Sequence, residues 1–274
     1  MTTKERTLSL FSEPPVVETV LGVQFVPLKG FGLQHFGLFW SKVREEYPKL
    51  VSQPSLPRVI ESFEEKFVPK PEITVSLSEK LPGLRGWYLN EPETRLIQIQ
   101  NDRFLYNWKK VKGNETYPQF DTIQPEFKAN WEKFCKFLTD EDIDHPELTQ
   151  CEVTYVNHID IGKGWNSFGE FDKVFAPWSG KFSGRFLPTP EKMTFNTTFV
   201  IPNKKGRLHI SAMPAIRRND GKEIIKVELT ARGRPTNSNI SAVLEWFQIG
   251  HEWIVQGFTD LTTDHMHKIW RRTI

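Results

Sequence analysis

The chain has 274 residues and a mass of 32.0 kDa, with 36 Lys and Arg residues against 34 Asp and Glu residues. Hydrophobic residues make up 38% of the chain and the mean hydropathy is −0.46, which excludes a protein built from membrane-spanning helices. The 21 Phe, 9 Trp and 5 Tyr residues exclude an intrinsically disordered chain. We therefore expect a globular protein, and its net charge of +2 favours neither a nucleic acid nor a membrane as partner.

Cysteine usage and the first residues predict a cytoplasmic location. The two cysteines, Cys135 and Cys151, are too few for a disulfide framework and lack the CxxC spacing of a zinc site. Residues 1–6 lack the apolar stretch of a signal peptide. Glycines form neither a GxGxxG nor a P-loop motif, so we expect no metal and no cofactor.

Apolar periodicity in the first half predicts a strand, a helix, several strands and a second helix. The β-branched run Val16–Phe25 predicts the first strand, and apolar residues at helical spacing from Phe36 to Tyr47 predict a helix that ends before Pro48. Residues 51–72 contain four prolines and are interpreted as a loop. Alternating or apolar runs then predict strands at Ile73–Leu77, Gly86–Leu89, Arg95–Gln100 and Arg103–Lys109.

The fourth of these strands and the helix after it are rich in aromatic residues. Phe104, Tyr106 and Trp108 alternate along the strand, and Lys109, Lys110 and Lys112 follow them. Stacking platforms beside positive charge are typical of single-stranded nucleic-acid binding, but the same alternation is what a buried strand needs. We favour burial, against a helix that begins at Pro125.

The second half repeats this order of elements. Its patterns predict strands at Cys151–Ile161, Met193–Val200, Arg207–Met213 and Glu223–Arg232, with helices near Phe168–Phe175, at Asn239–Phe258 and around Trp270. Local sequence also repeats: Lys29-Gly30-Phe31 resembles Lys163-Gly164-Trp165, and Arg95–Gln100 resembles Glu223–Glu228.

These observations predict an α+β fold made of a tandem pseudo-repeat of a β-α-β(3)-α unit. The two units would form an extended, largely antiparallel sheet with helices on one face, which leaves the other face free for a ligand. The predicted organisation is a tail at 1–13, a first repeat at 14–140 and a second at 149–274, fused into one compact body.

Several segments together carry a family resemblance. They are Pro14–Phe25, Leu96–Phe104 with Asn107-Trp108, Tyr117-Pro118, and Glu152–Asn157. The chain resembles, over its whole length, a sporadically distributed bacterial family of uncharacterised proteins. The resemblance implies a cytoplasmic bacterial accessory protein from mobile or defence-associated gene neighbourhoods, and it assigns no functional residue.

A first candidate ligand site lies on the strand that opens the second half. Glu152, His158 and Asp160 alternate on this strand and therefore share one face, and Glu228 and Arg232 share a face of the last strand. If the two strands pair, these five residues form a polar surface that suits a ligand or a general base with an orienting acid. The alternative is an ordinary solvated sheet face.

A second candidate is an anion-binding site in the basic segment Trp178–Arg234, which holds twelve Lys and Arg residues and four acids. Clustered guanidinium and ammonium groups at hairpin ends would bind phosphates. The residues concerned are Lys204, Lys205, Arg207, Arg217, Arg218 and Arg234.

The leading functional hypothesis is a non-enzymatic recognition or adaptor protein. It would bind a protein partner or a small ligand on the sheet face or in the cleft between repeats, and its oligomeric state is left open. One alternative is nucleic-acid or nucleotide binding through the basic hairpins. A weaker one is an enzyme that uses Glu152, His158 and Asp160. Three tryptophans in turn-like segments, Trp87, Trp165 and Trp178, are predicted to mark a binding surface.

Overall fold

The computed structural model describes residues 8–61, 83–178 and 186–273, and within them nine strands form a single antiparallel sheet. The strands are β1 (Val16–Phe25), β2 (Lys49–Pro54), β3 (Leu84–Leu89), β4 (Arg95–Gln100), β5 (Arg103–Lys109), β6 (Leu148–Asp160), β7 (Phe195–Ile201), β8 (Gly206–Ile216) and β9 (Glu223–Gly233). The α-helices are α1 (Leu33–Val43), α2 (Phe120–Asp140), α3 (Phe171–Val174), α4 (Ile240–Leu261) and α5 (Asp264–Ile269), and a 3-10 turn (Phe168–Glu170) precedes α3. The strand predicted at Ile73–Leu77 lies outside the described residues.

Across the sheet the strands follow the order β2-β3-β4-β5-β1-β6-β9-β8-β7. The first strands of the two halves, β1 and β6, are therefore neighbours at the centre of the sheet, with Leu21 opposite Val153. Strands from the first half extend to one side of this pair and strands from the second half to the other. The predicted α+β class and the antiparallel sheet are confirmed.

One face of the sheet is covered by helices. Leu21, Val23 and Phe25 of β1 point to this face and are almost fully buried. From β5, Phe104 contacts α2, where the ring of Trp131 lies at a centroid distance of 5.3 Å. The strand Phe104–Trp108 is thus part of the core, as predicted, and its aromatic rings are not a stacking surface for nucleic acid.

The long helix α4 packs on the second half of the sheet. Its buried face includes Val243, Phe247 and Ile254. The helix begins where predicted because Asn239 accepts a hydrogen bond from the backbone N–H of Ala242 at 2.8 Å.

Several boundaries differ from the sequence-based predictions by a few residues, and two differences are larger. Helix α2 begins at Phe120, five residues before Pro125, and the early turn is stabilised where the Phe120 ring stacks on His251 at 4.1 Å. Strand β2 occupies the start of the segment interpreted as a loop. Its side chains are mostly exposed, so the sequence there carries no alternating apolar pattern.

The face opposite the helices, called here the open face, carries the polar alternation of the central strands. After β2, residues 55–61 cross part of this face, and we call them the strap. The strap contacts one end of the strands, and a groove occupies the other end.

Candidate functional site: a polar groove on the open face

The groove has a volume of about 1570 Å³. Its floor is formed by alternate residues of the central strands, among them Val20, Thr154 and Thr230. Its walls are the loops at 110–117 and 215–222, which follow β5 and β8. Both loops lie where β6 ends and β9 begins, so they border the groove at that end of the sheet.

The first predicted ligand set, Glu152, His158, Asp160, Glu228 and Arg232, lines this groove. Strands β6 and β9 do pair, with Glu152 opposite Arg232. Nε of Arg232 lies 2.5 Å from a carboxylate oxygen of Glu152, and Nζ of Lys226 lies 2.8 Å from Glu228. The five residues therefore share one surface, where their charges are largely paired with neighbours.

His158 is the least satisfied polar residue of the groove floor. Its Nδ1 is buried and has no hydrogen-bond partner among the described residues. Burial lowers the pKa of His158, and the positive charges of Arg217 and Lys226 lower it further, against the opposing effect of Asp160. Burial and the two cations thus disfavour the protonated form of the imidazole.

The three residues proposed for catalysis do not converge. Glu152 and His158 are six residues apart on one extended strand, which separates them by about 20 Å. Asp160 binds Arg217, whose Nη1 lies 2.8 Å from Oδ1, so this carboxylate does not orient His158 through a hydrogen bond. An acid/base mechanism built on these three residues has no support in the geometry.

The predicted anion cluster is divided between the two ends of β8. Lys204 and Lys205 precede this strand and Arg217 and Arg218 follow it, about 33 Å away. Arg207 is buried and pairs with Glu61 at 3.0 Å. The remaining member of the predicted set, Arg234, follows β9 at the same end as Lys205.

Arg217 is also neutralised, because it bridges Asp160 and Asp220. The six residues of the candidate anion site therefore do not form one basic cluster. Charge counted along the sequence cannot show which ends of a strand its cations occupy, nor which acids they meet across the sheet.

The groove instead brings Arg218, a member of the predicted anion set, together with three lysines that the anion-site prediction missed. Lys109, Lys110, Lys112 and Arg218 line it, and none has a carboxylate within 4.0 Å among the described residues. Burial lowers the pKa of Lys110, and nearby Lys163 adds to this effect while Glu115 opposes it. The sequence signal for these cations was the group of three lysines within four residues at the end of strand β5.

The acids that line the groove all have partners. Glu18 accepts a hydrogen bond from Asn107 at 2.7 Å, and Glu115 accepts two from the backbone of its own loop. The other five acids form ion pairs: Glu13, Glu152, Asp160, Asp220 and Glu228. The negative charges in the groove are thus committed to contacts within the protein, whereas some of the positive charges are not.

Only one of the three predicted surface tryptophans lies on the open face. Trp87 lies beside the groove, donates a hydrogen bond to Gln98 at 2.9 Å, and has Lys109 Nζ 5.7 Å from its ring centroid. Trp165 is 1% exposed, and Trp178 packs edge-on against Phe171.

The described residues contain no group of three or more metal-ligating side chains and no helix with the length and apolarity to cross a membrane. The fold defines an α+β protein whose sheet carries helices on one face and a polar groove on the other. The chain matches no protein-family profile, and searches of curated proteins and of solved structures give no significant match.

Proposed function

We propose that this protein is a recognition protein that binds an acidic segment of a partner protein in the groove of the open face. One observation carries the proposal: every acid lining the groove has a partner, whereas Lys109, Lys110, Lys112 and Arg218 have no carboxylate within reach among the described residues. Lys109 and Lys110 are partly buried, where a cation without a carboxylate partner is unfavourable, and an anionic ligand would relieve that cost.

The dimensions of the groove support a protein segment over a small molecule. Small-molecule sites usually enclose about 300–1000 Å³. The volume here, about 1570 Å³, is larger, and its floor follows several strands. The internal ion pairs on the floor add a fixed charge pattern that discriminates between partners, because a wrongly placed charge would meet a like charge.

The alternatives receive less support. Nucleic-acid binding through the C-terminal hairpins would need a continuous basic surface, but Arg207 and Arg217 are neutralised and lie at opposite ends of β8.

The resemblance to a bacterial accessory family leads us to propose a defence-associated system as the biological setting.

We also propose that the two halves arose as copies of one β-α-β(3)-α unit. The strand order supports this, because β5-β4-β3 extend outward from β1 as β9-β8-β7 extend outward from β6. Helix α2 then corresponds to α4, and β2 is an addition to the first unit. In an experimental structure, failure of these strands and helices to superpose in this order would contradict the duplication.

The binding proposal is tested with a fluorescein-labelled peptide of alternating Glu and Ser, measured by fluorescence anisotropy at low salt. The variant combines Lys110→Gln, Lys112→Gln and Arg218→Gln. A matched control, Lys192→Gln with Lys204→Gln and Lys205→Gln, removes three exposed lysines outside the groove. We expect the groove variant to bind on the order of tenfold more weakly, with added salt weakening the wild-type complex.

Three results would overturn the proposal. The first is equal binding by the groove variant and the wild type. The second is an equal loss in the control variant, which would indicate non-specific attraction. The third is preferential binding of a single-stranded oligonucleotide of the same charge, which would favour the nucleic-acid alternative.

A further inference from the structure

The strap is held on the open face by side chains that contact its backbone. Gln100 of β4 makes two hydrogen bonds to Leu56: its Oε1 accepts from the backbone N–H at 3.0 Å, and its Nε2 donates to the carbonyl oxygen at 3.2 Å. Arg103 donates from Nη2 to the carbonyl oxygen of Pro57 at 3.0 Å. These contacts do not depend on the identity of the strap side chains.

Gln150 of β6 repeats this arrangement further along the strap. Its Oε1 accepts from the backbone N–H of Glu61 at 3.0 Å, and its Nε2 donates to the carbonyl oxygen of Val59 at 3.4 Å. Gln100 and Gln150 are three strand spacings apart, about 14 Å, and an extended Leu56–Glu61 segment covers about 17 Å. An extended peptide of this length therefore reaches both amides.

One side chain of the strap is recognised through its charge. The carboxylate of Glu61 lies 3.0 Å from Nη1 of Arg207 and 2.6 Å from Nε2 of His209. Arg207 is 3% exposed, so this cation is built into the sheet and does not move freely at the surface. The ion pair with Arg207 and the hydrogen bond from His209 lower the pKa of Glu61 against the effect of burial.

The strap leaves this surface incompletely satisfied. Gln24 of β1 lies between Arg103 and Gln150 in the sheet register and is 3% exposed. Its Nε2 is buried without a hydrogen-bond partner among the described residues, and the same is true of Nε of Arg103. Buried donors without acceptors are costly, so a segment with a better-placed carbonyl oxygen would bind this row more favourably than the strap does.

We propose that this row is a binding site for an extended peptide segment of a partner protein that carries one carboxylate side chain, and that the strap fills it as an internal ligand. The row consists of Gln24, Gln100, Arg103, Gln150, Arg207 and His209. The glutamines and Arg103 bind the peptide backbone, and Arg207 with His209 binds a carboxylate. A partner segment displaces the strap when it also satisfies Gln24 and Arg103. The inference rests on residues other than the groove cations, so it stands or fails separately from the groove.

The test uses the full-length chain and a labelled peptide with the sequence of Ser55–Glu61, acetylated and amidated so that Glu is its only carboxylate. A control peptide has Gln at the last position. The variant Glu61→Gln weakens the internal ligand. We expect this variant to bind the Glu peptide about tenfold more tightly than the wild type does, and the Gln peptide about tenfold more weakly than the Glu peptide.

Two further variants distinguish this site from the groove. Adding Gln150→Ala to Glu61→Gln removes the two hydrogen bonds from Gln150 to the peptide backbone, so we expect peptide binding to weaken about tenfold. Adding Lys110→Gln leaves it unchanged, because Lys110 lines the groove and makes no contact with the strap among the described residues. Circular dichroism checks that each variant is folded.

Hydrogen exchange on the Glu61→Gln protein reports the position of the strap directly. Saturating Glu peptide should release the weakened strap, and the backbone amides at positions 56 and 61 should then exchange faster. Absence of binding to folded Glu61→Gln protein, equal affinity for the two peptides, or unchanged amide exchange would each overturn the proposal. If the protein instead forms a dimer in which two copies exchange straps, and binds no peptide, the proposal of a partner protein would be overturned. The ligand of the row would then be the strap of a second copy.

Discussion

The hydroxyl group of Tyr155 lies 2.8 Å from Nδ1 of His251 and joins the central strand β6 to helix α4. Tyr155 accepts a hydrogen bond from Tyr117 at 2.7 Å, so its own proton is directed to the imidazole. This chain requires a neutral His251 with an unprotonated Nδ1. Burial lowers the pKa of His251 to about 4, which matches that requirement.

The first prediction concerns the pH dependence of stability. In the unfolded chain His251 has an ordinary pKa near 6.5, so between pH 6.5 and about 4 the unfolded state binds more protons than the folded state. Stability should therefore fall as the pH falls through this window, by up to about 3 kcal/mol from this residue. Urea unfolding of wild type and His251→Gln at several pH values measures it. The variant should show a shallower slope, and identical slopes would contradict the assignment.

The second prediction concerns Gly233, at the end of β9. A Cβ atom at this position would collide with the carbonyl oxygen of Lys205 and with the indole nitrogen of Trp246. Because one of these is a backbone atom, Gly233→Ala should lower the free energy of unfolding by about 1–3 kcal/mol.

The matched control for this glycine is Gly37, in helix α1, where an added Cβ meets nothing within 4 Å. Gly37→Ala should stabilise the protein by about 1 kcal/mol, because alanine is the better helix former. Destabilisation of both variants to the same extent, measured by thermal unfolding, would show that the environment of Gly233 is not the cause.

The third prediction concerns the thiols. Burial raises the pKa of Cys135 to about 12, and it raises the pKa of Cys151, which is 0% exposed, still further. Because the thiolate is the reactive form, neither residue should react with a disulfide reagent at pH 8 in the native protein, while both should react in denaturant. Rapid native labelling, located by mass spectrometry, would contradict the raised pKa of the cysteine that reacts.

The fourth prediction concerns the aromatic core between α2 and the sheet. Phe134 is 0% exposed, and its ring packs with those of Phe104 and Phe39 at centroid distances of 5.3 and 5.7 Å. Phe134→Ala should cost about 3–5 kcal/mol, since the cavity cannot be refilled by its rigid neighbours. Leu33, which is 69% exposed on α1, is the control, and Leu33→Ala should change stability by less than about 0.5 kcal/mol.

Much of the sheet could be predicted from the sequence. Strands β4 and β5 have the predicted bounds because their apolar alternation is interrupted only by the turn at Asn101-Asp102. Strand β2 was missed for the opposite reason: its six residues are mostly exposed, and it forms by pairing with β3. Edge strands of this kind depend on a neighbour that the local sequence does not specify.

The candidate site was predicted only in part. Parity along β6 placed Glu152, His158 and Asp160 on one face because side chains alternate in any extended strand. Alternation does not show that Glu152 and His158 are too far apart to act together. It also does not show which acids neutralise Arg217. The groove therefore has its predicted polar floor, with different cations available to a ligand.

Local pattern thus determined the elements, the buried stripes and the existence of a polar sheet face, because periodicity and capping act over a few residues. The tertiary structure alone decided which charges are paired and what covers the open face. Arg207 and Glu61 are 146 residues apart in the chain, and they meet because strand order brings β8 within reach of the strap. Contacts of that kind depend on the register and order of nine strands, which no short stretch of sequence contains.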